Sequence, residues 1–222
     1  MRRPADAAIG RARTGHRWRD PGRVGRLTRA LASAPMPPLR SLFGRAEAAP
    51  PPYPPSSPEG LVARWVRWLA AHGPMTDPIH DTTGEDGGHH QPDDVWFLAG
   101  TYGGTVRRRC VIPAGRPLFF PAFNMWQVGS APGEVPVVDG ATGHAKIDDE
   151  RVPLATIGTA TPFEVRGAFR NAVTGRSRPY PVTCWGLWAS LPPPAPGEHE
   201  LTFGGTDGGE FSVRAKYLLV VS

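Results

Sequence analysis

Histidine and carboxylate side chains are concentrated in one polar stretch of the chain, residues 77–94. This acidic loop contains three histidines and six carboxylates, and it has no lysine or arginine. Imidazoles and carboxylates are the ligands that zinc, iron and manganese use in proteins, whereas carboxylates alone suit calcium. We therefore weigh two interpretations, a solvated acidic loop and a divalent metal site for zinc or calcium. The candidate metal ligands are His80, Asp81, His89 and His90.

Motifs with a specific catalytic meaning do not occur in this sequence. The acidic loop has no His-x-His or HExxH arrangement, and its carboxylates do not follow the spacing of an EF-hand. There is no G-x-S-x-G elbow for a nucleophilic serine. A metal-dependent hydrolase or oxidoreductase on residues 77–94 is therefore an alternative, with no catalytic residue assigned.

The chain contains two cysteines, Cys110 and Cys184. Two cysteines exclude a cysteine-rich zinc site and a disulfide-dense scaffold. Both lie in apolar runs that read as strands, where a thiol is normally inert or bridged. They form one disulfide if the protein is exported, or they remain two buried thiols if it is not.

Aromatic residues are numerous in the turn-rich second half of the chain. In exported β-sandwiches such rings stack on ligands such as sugars, although most large aromatic side chains fill the core. The candidate stacking residues are Trp126, Trp185 and Trp188.

The elements that would position these residues are short. The chain has 27 glycines and 27 prolines, which favours many short strands separated by turns. One amphipathic helix is expected over residues 57–73, where Ser57 is suited to the N-cap and Leu61, Trp65 and Trp68 share a stripe. Residues 210–221 alternate as a half-buried strand. We predict an all-β domain over residues 57–222, an antiparallel β-sandwich of jelly-roll or immunoglobulin-like type with a leading helix.

Three segments together resemble a known group of proteins. They are VWFLAGT at residues 95–101, CVIPAG with LFFP at residues 110–121, and PGEH with FGG at residues 196–205. This pattern is similar to that of uncharacterised, mostly exported bacterial β-sandwich proteins without an assigned activity. The resemblance covers residues 60–222. It implies an extracytoplasmic β domain and supplies no catalytic residues.

The N-terminal part of the sequence differs in composition from the rest. Residues 1–45 contain eleven arginines against two aspartates, a net charge of +9, whereas the remainder is −4. A proline-rich spacer follows, and we predict that residues 1–56 are a disordered tail. The tail can be read as a linker or mis-set start, an export signal, or a basic arm for nucleic acid or lipid. The location is extracytoplasmic on the resemblance, or cytoplasmic if the N-terminus is genuine as written.

These patterns leave three classes of function open. The first is a non-enzymatic, exported or envelope-associated binding module for a saccharide, a peptide or a protein surface. The second is the metal-dependent enzyme on the acidic loop. The third is a folded domain that a basic arm tethers to nucleic acid or lipid, and nucleic acid is expected as a partner only through residues 1–45. No apolar run is long enough to predict a membrane-spanning helix.

Overall fold

A computed structural model describes residues 49–222 of the chain. They form one short helix, α1, and ten strands in two mixed sheets. The elements are α1 (Pro58–Ala70), a 3₁₀ turn (Asp86–Gly88), β1 (Trp96–Phe97), β2 (Gly104–Ile112), β3 (Leu118–Val128), β4 (Thr142–Ile147), β5 (Glu150–Arg151), β6 (Ala155–Gly158), β7 (Phe163–Val165), β8 (Tyr180–Leu191), β9 (Gly197–Thr206) and β10 (Ser212–Val221). Within this part of the chain, no helix has the length and apolar character needed to cross a membrane.

The two sheets divide the strands in an order that the sequence does not reveal. The first sheet has the order β1-β3-β8-β6, with β7 also paired to β8, and the second has the order β2-β10-β9-β4-β5. The prediction of a purely antiparallel arrangement is wrong, because β1 pairs with β3 and β2 pairs with β10 in parallel. The chain passes from the first sheet to the second for β2 and back again for β3. Strands β1 and β3 therefore enter their shared sheet in the same direction.

Helix α1 covers one face of the first sheet. Ser57 caps it by accepting a hydrogen bond from the Gly60 amide at 3.1 Å, and Pro58 occupies its first turn. The buried tryptophan of this face, Trp65, meets Trp188 of β8 edge-on, with ring centres 5.3 Å apart. These residues belong to a helix-side cluster, which joins apolar side chains of α1, β3, β6, β7 and β8.

An inter-sheet cluster fills the space on the other face of the first sheet. It combines apolar residues of both sheets, among them Leu118 and Phe120 from β3 with Phe203 from β9 and Tyr217 from β10. Phe120 and Phe203 have ring centres 4.5 Å apart. The first sheet therefore contributes to two cores, because alternate side chains of a strand point to opposite faces.

The predicted tail lies mostly outside the described residues, which begin at position 49. Residues 49–56 are described, and they lie against the β domain. The Tyr53 hydroxyl accepts a hydrogen bond from the Thr161 amide at 2.7 Å and donates one to the Thr161 carbonyl at 2.8 Å. For residues 1–48, disorder, export and the basic arm stay predictions.

Candidate functional site

The four predicted metal ligands are not brought together. The His80 imidazole pairs with Asp77, whereas the Asp81 carboxylate accepts hydrogen bonds from the amides of Gly84 and Asp86 at 2.9 and 3.1 Å. The rings of His89 and His90 lie 6.5 Å apart. Across residues 49–222, no group of three or more histidine, cysteine or acidic side chains could hold a metal ion. Asp81 is used in a turn, and the zinc or calcium site stays a prediction.

Asp81 illustrates this structural use of a carboxylate. Burial on its own would raise the pKa of Asp81, but amide donors from Gly84, Thr83 and Asp86 surround the carboxylate and lower it. An aspartate that caps its own loop in this way stays ionised without a cation. The side chain of Asp81 thus helps to order its own loop.

The two cysteines are free thiols in the structure, so the alternative of a bridge between them is not realised. Cys110 belongs to the inter-sheet cluster and Cys184 to the helix-side cluster, so the first sheet separates them. Burial raises the pKa of Cys110 to about 11 and that of Cys184 to about 12. Both thiols are consequently protonated and unreactive near neutral pH.

The three candidate stacking tryptophans occupy different environments. Trp188 is buried and stacks on Phe119, with ring centres 5.1 Å apart, and Trp185 is also buried. These two rings are core residues in this structure. Trp126 is only half-buried, and it lines an open pocket.

This aromatic pocket has a volume of about 320 Å³ and lies between α1, the segment that precedes β2 and the second half of β3. Its wall includes three large apolar side chains that are partly exposed, Tyr102, Met125 and Phe211, as well as Trp126. A volume near the lower end of the range for small-molecule sites can accept one ring-sized group. The pocket residues are Trp65, Ile79, Gly100, Thr101, Tyr102, Asn124, Met125, Trp126 and Phe211.

A buried carboxylate lies beside Tyr102, one of the residues that line the aromatic pocket. Asp77 is only 6% exposed, and its Oδ2 atom accepts a hydrogen bond from His80 Nδ1 at 2.8 Å. The Tyr102 hydroxyl lies 3.5 Å from the same oxygen, and the rings of His80 and Tyr102 are 4.6 Å apart. Burial, followed by the negative charge of Asp77, raises the pKa of Tyr102. Tyr102 therefore remains a neutral hydrogen-bonding group.

The Asp77 carboxylate orients the His80 imidazole through the hydrogen bond between them. The His80 side chain is largely exposed. The imidazole therefore lies next to the pocket, against the Tyr102 phenol, and Trp126 contributes an apolar ring to the pocket wall.

Arg108 holds the walls of the pocket in place. This strand β2 residue is 4% exposed, and its guanidinium makes five hydrogen bonds. It donates to the carbonyl oxygens of Ile79 and Gly100, both pocket residues, at 2.9 and 2.8 Å. The remaining acceptors are the Asp81 and Ala99 carbonyls and the Tyr217 hydroxyl, at 2.7 Å each. One side chain thus joins the segments around residues 79–81 and 99–100.

Sequence reasoning missed Arg108, Asp77 and Tyr102 as site residues, although signals for two of them exist. The alternation along β2 puts Arg108 on the same side as Cys110 and Ile112, and an arginine on an apolar face needs several acceptors. The spacing of Asp77 and His80, three residues apart, allows contact within one turn. Nothing local indicates that Tyr102 approaches Asp77.

Compared with known proteins, the chain matches no family model, no curated protein and no solved structure. The resemblance to exported β-sandwich proteins therefore stays a prediction.

Proposed function

We propose that this protein is a non-enzymatic binding module that holds its ligand in the aromatic pocket. The observation that carries the proposal is the ring of partly exposed apolar side chains around a cavity of about 320 Å³. Exposed aromatic residues beside hydrogen-bonding groups are typical of surfaces that bind amphipathic ligands. A sugar ring or an aromatic peptide side chain would place its apolar face on Trp126. Its polar edge would then meet His80 and Tyr102.

Titration calorimetry with defined probes tests this function. The probes are chitotriose, cellotriose and maltotriose, and tripeptides with a central tyrosine or tryptophan. We expect one of these classes to bind, and Trp126→Ala to weaken its binding by about tenfold. Leu218→Ala, which truncates an exposed apolar side chain on β10 outside the pocket, should leave binding unchanged. Binding by none of the probes, or equal binding by Trp126→Ala, contradicts the proposal.

The Asp77–His80 pair favours one second candidate, a metal-dependent hydrolase or oxidoreductase at the same rim. A buried carboxylate that orients an exposed imidazole is a known arrangement both for general bases and for metal ligands. Metal analysis of the purified full chain separates the two functions. The enzyme requires stoichiometric metal that is lost in His80→Ala and retained in His144→Ala, which changes a histidine of β4. Metal-free protein would favour the binding module.

We further propose that the two sheets form a β-sandwich of jelly-roll or immunoglobulin-like type in an exported or envelope-associated protein. The inter-sheet cluster, with residues from both sheets, supports the sandwich. An experimental structure tests the topology. Cell fractionation with antibody detection tests the location, and recovery of the full chain only in the cytoplasm contradicts it.

A further inference from the structure

A second loop has the opposite charge to the acidic loop. Residues 166–178 connect β7 to β8, and this basic loop contains four arginines and no acidic residue. The arginines are Arg166, Arg170, Arg176 and Arg178. A local concentration of one charge sign on a chain of mixed charge indicates a surface that attracts an oppositely charged partner.

The basic loop is ordered around one buried residue. Asn171 is 3% exposed, and its amide nitrogen donates to the carbonyl oxygens of Ala168 and Arg176 at 2.7 and 3.0 Å. Its side-chain oxygen accepts from the amides of Val173 and Thr174 at 3.0 and 2.9 Å. The Val173 side chain joins the helix-side cluster, so the loop is anchored in the core.

The beginning of the basic loop also contacts the end of α1. The Ala168 amide donates to the Ala70 carbonyl at 2.8 Å. A Cβ atom at Gly167 would approach that same carbonyl oxygen to 2.1 Å, so only glycine permits this contact. Positive charge near a helix C-terminus is favourable, which accounts for part of the loop's composition. It does not account for the apolar residues at the tip.

Two large apolar side chains project into solvent at this end of the molecule. Phe169 is 72% exposed, and Met75, which follows the end of α1, is 89% exposed. The backbone before Met75 passes close to Phe169, because a Cβ atom at Gly73 would lie 3.9 Å from the Phe169 carbonyl oxygen. Arg170, beside Phe169, has a left-handed φ of 59°, a costly conformation for arginine. The fold thus holds Phe169 outward at the tip of an ordered loop.

The positive charge of Arg176 and Arg178 is not neutralised within the described residues. Both side chains donate to one neutral acceptor, the Tyr180 hydroxyl, Arg176 Nη1 at 2.6 Å and Arg178 Nε at 2.8 Å. Their guanidinium carbons lie 5.6 and 5.1 Å from the centre of the Tyr180 ring. Neither forms an ion pair with a carboxylate in residues 49–222. Two guanidinium groups gathered on one phenol leave their charge available to an anionic partner.

We propose that the basic loop, with Phe169 and Met75 at its tip, docks on an anionic lipid surface. Arginines around an exposed apolar tip match both layers of such a surface, because the headgroups are negative and the acyl boundary is apolar. A nucleic acid would use the arginines but would leave Phe169 and Met75 in water. Charge complementarity and the apolar tip together therefore favour lipid. This surface is independent of the aromatic pocket.

Vesicle sedimentation with the full chain tests the proposal. The probes are phosphatidylcholine vesicles with and without phosphatidylserine, each at low and high salt. We expect salt-sensitive binding only to vesicles that contain phosphatidylserine. The double change Arg176→Ser/Arg178→Ser should weaken binding by about thirtyfold, or roughly fivefold for each arginine. Phe169→Ser should weaken it by about tenfold, because the ring no longer enters the apolar boundary.

Matched controls separate this surface from net charge and from residues 1–45. Arg107→Ser/Arg151→Ser removes the same charge at two exposed sites on β2 and β5, and Val137→Ser removes an exposed apolar side chain elsewhere. Both controls should bind within about twofold of the unmodified chain. An equal loss in both double variants, or undiminished binding when the loop is changed, overturns the proposal. The second result would assign lipid binding to the arginine-rich segment before residue 46.

Two further measurements complete the test. In Phe169→Trp, brominated phosphatidylcholine mixed with phosphatidylserine should quench the new tryptophan beyond the quenching seen in the unmodified chain. Equal quenching in the two proteins contradicts insertion of the tip. Binding to a short DNA duplex that depends on Arg176 and Arg178 and not on Phe169, without vesicle binding, overturns the lipid proposal in favour of nucleic acid.

Discussion

The acidic loop and the basic loop are each ordered by a buried side chain that forms hydrogen bonds, but the two loops have opposite shapes. Each is a long irregular segment in which one buried polar side chain binds several backbone groups. In the acidic loop that side chain is Arg108, which reaches in from β2 and draws the backbone toward the sheet. In the basic loop it is Asn171, which lies within the loop and closes it on itself. The acidic loop, whose donor Arg108 lies outside the loop, borders a concave pocket. The basic loop, whose donor Asn171 lies within the loop, forms a projecting tip.

This difference shows how a chain rich in glycine and proline orders its loops. Such loops have little apolar surface of their own, yet their buried carbonyl groups must find donors. A guanidinium supplies up to five N–H groups and can join separate segments, whereas an amide supplies two and suits a single turn. The position of the donor in the sequence therefore helps to set the shape of the loop.

The largest effect is expected for Arg108→Met. It removes five hydrogen bonds and leaves buried carbonyls of Ile79, Ala99 and Gly100 without this donor. We expect a loss of at least about 3 kcal/mol in the free energy of unfolding, measured by urea denaturation. Arg107→Met, at the exposed neighbouring position, should cost less than about 0.5 kcal/mol. A similar small loss in both variants would show that Arg108 does not organise the acidic loop.

A smaller effect is expected for Asn171→Ala. The change removes an amide that serves backbone groups on both sides of the basic loop, so we expect a loss of about 2 kcal/mol in the free energy of unfolding. Trypsin should also cleave at the loop arginines faster than in the unmodified chain. Ser177→Ala, at an exposed position of the same loop, should change neither quantity. If Asn171→Ala resists trypsin as the unmodified chain does, the loop is ordered by other contacts.

The smallest effect on stability is expected for a hydrogen-bonded pair outside both loops. This pair is not deeply buried, so it shows how much burial adds to the stability effects at Arg108 and Asn171. His199 Nδ1 lies 2.5 Å from Asp148 Oδ2. Hydrogen bonding to Asp148 raises the pKa of His199, and the same bond lowers the pKa of Asp148. The histidine contribution to stability is therefore complete below pH about 6.5 and is lost as the pH rises through its folded value. The aspartate contribution is present above pH about 4 and is lost as the pH falls through its folded value.

Asp148→Asn tests this window with thermal unfolding. The variant should be less stable than the unmodified chain by under about 1 kcal/mol near pH 5.5, and the gap should narrow near pH 8.5. Asp149→Asn, at the next position of the same turn, should show no such pH dependence. A gap that widens with rising pH would contradict the assignment.

The sequence predicts some parts of this fold well because their signals are local. The mostly β character follows from short apolar runs between turns, and the alternation in residues 210–221 corresponds to β10. Local signals do not predict which strands belong to the same sheet. Parallel pairing of β2 with β10 depends on contacts between residues more than a hundred positions apart. The positions of the two cysteines depend on long-range contacts in the same way, since no local pattern places Cys110 and Cys184 on opposite sides of one sheet.

The candidate site shows the same limit. Residue types in the acidic loop predict metal ligands, and they do not reveal that backbone amides of the loop donate to the Asp81 carboxylate. Among the tryptophans, only the three-dimensional packing separates the half-buried Trp126 from the core residue Trp188. Amino-acid composition can identify the basic loop. It cannot show that Asn171 orders the loop and holds its tip outward.

The parallel pairing of β2 with β10 also bears on how the chain acquires its structure during synthesis. Strand β2 lies at one edge of its sheet, and β10 is its one sheet neighbour. While the ribosome is still adding the residues between them, β2 has no partner, and the Tyr217 hydroxyl that binds Arg108 has not yet been made. Until residues 212–221 have left the exit tunnel, the backbone groups on this edge of β2 lack their sheet partner, and Arg108 lacks one of its acceptors.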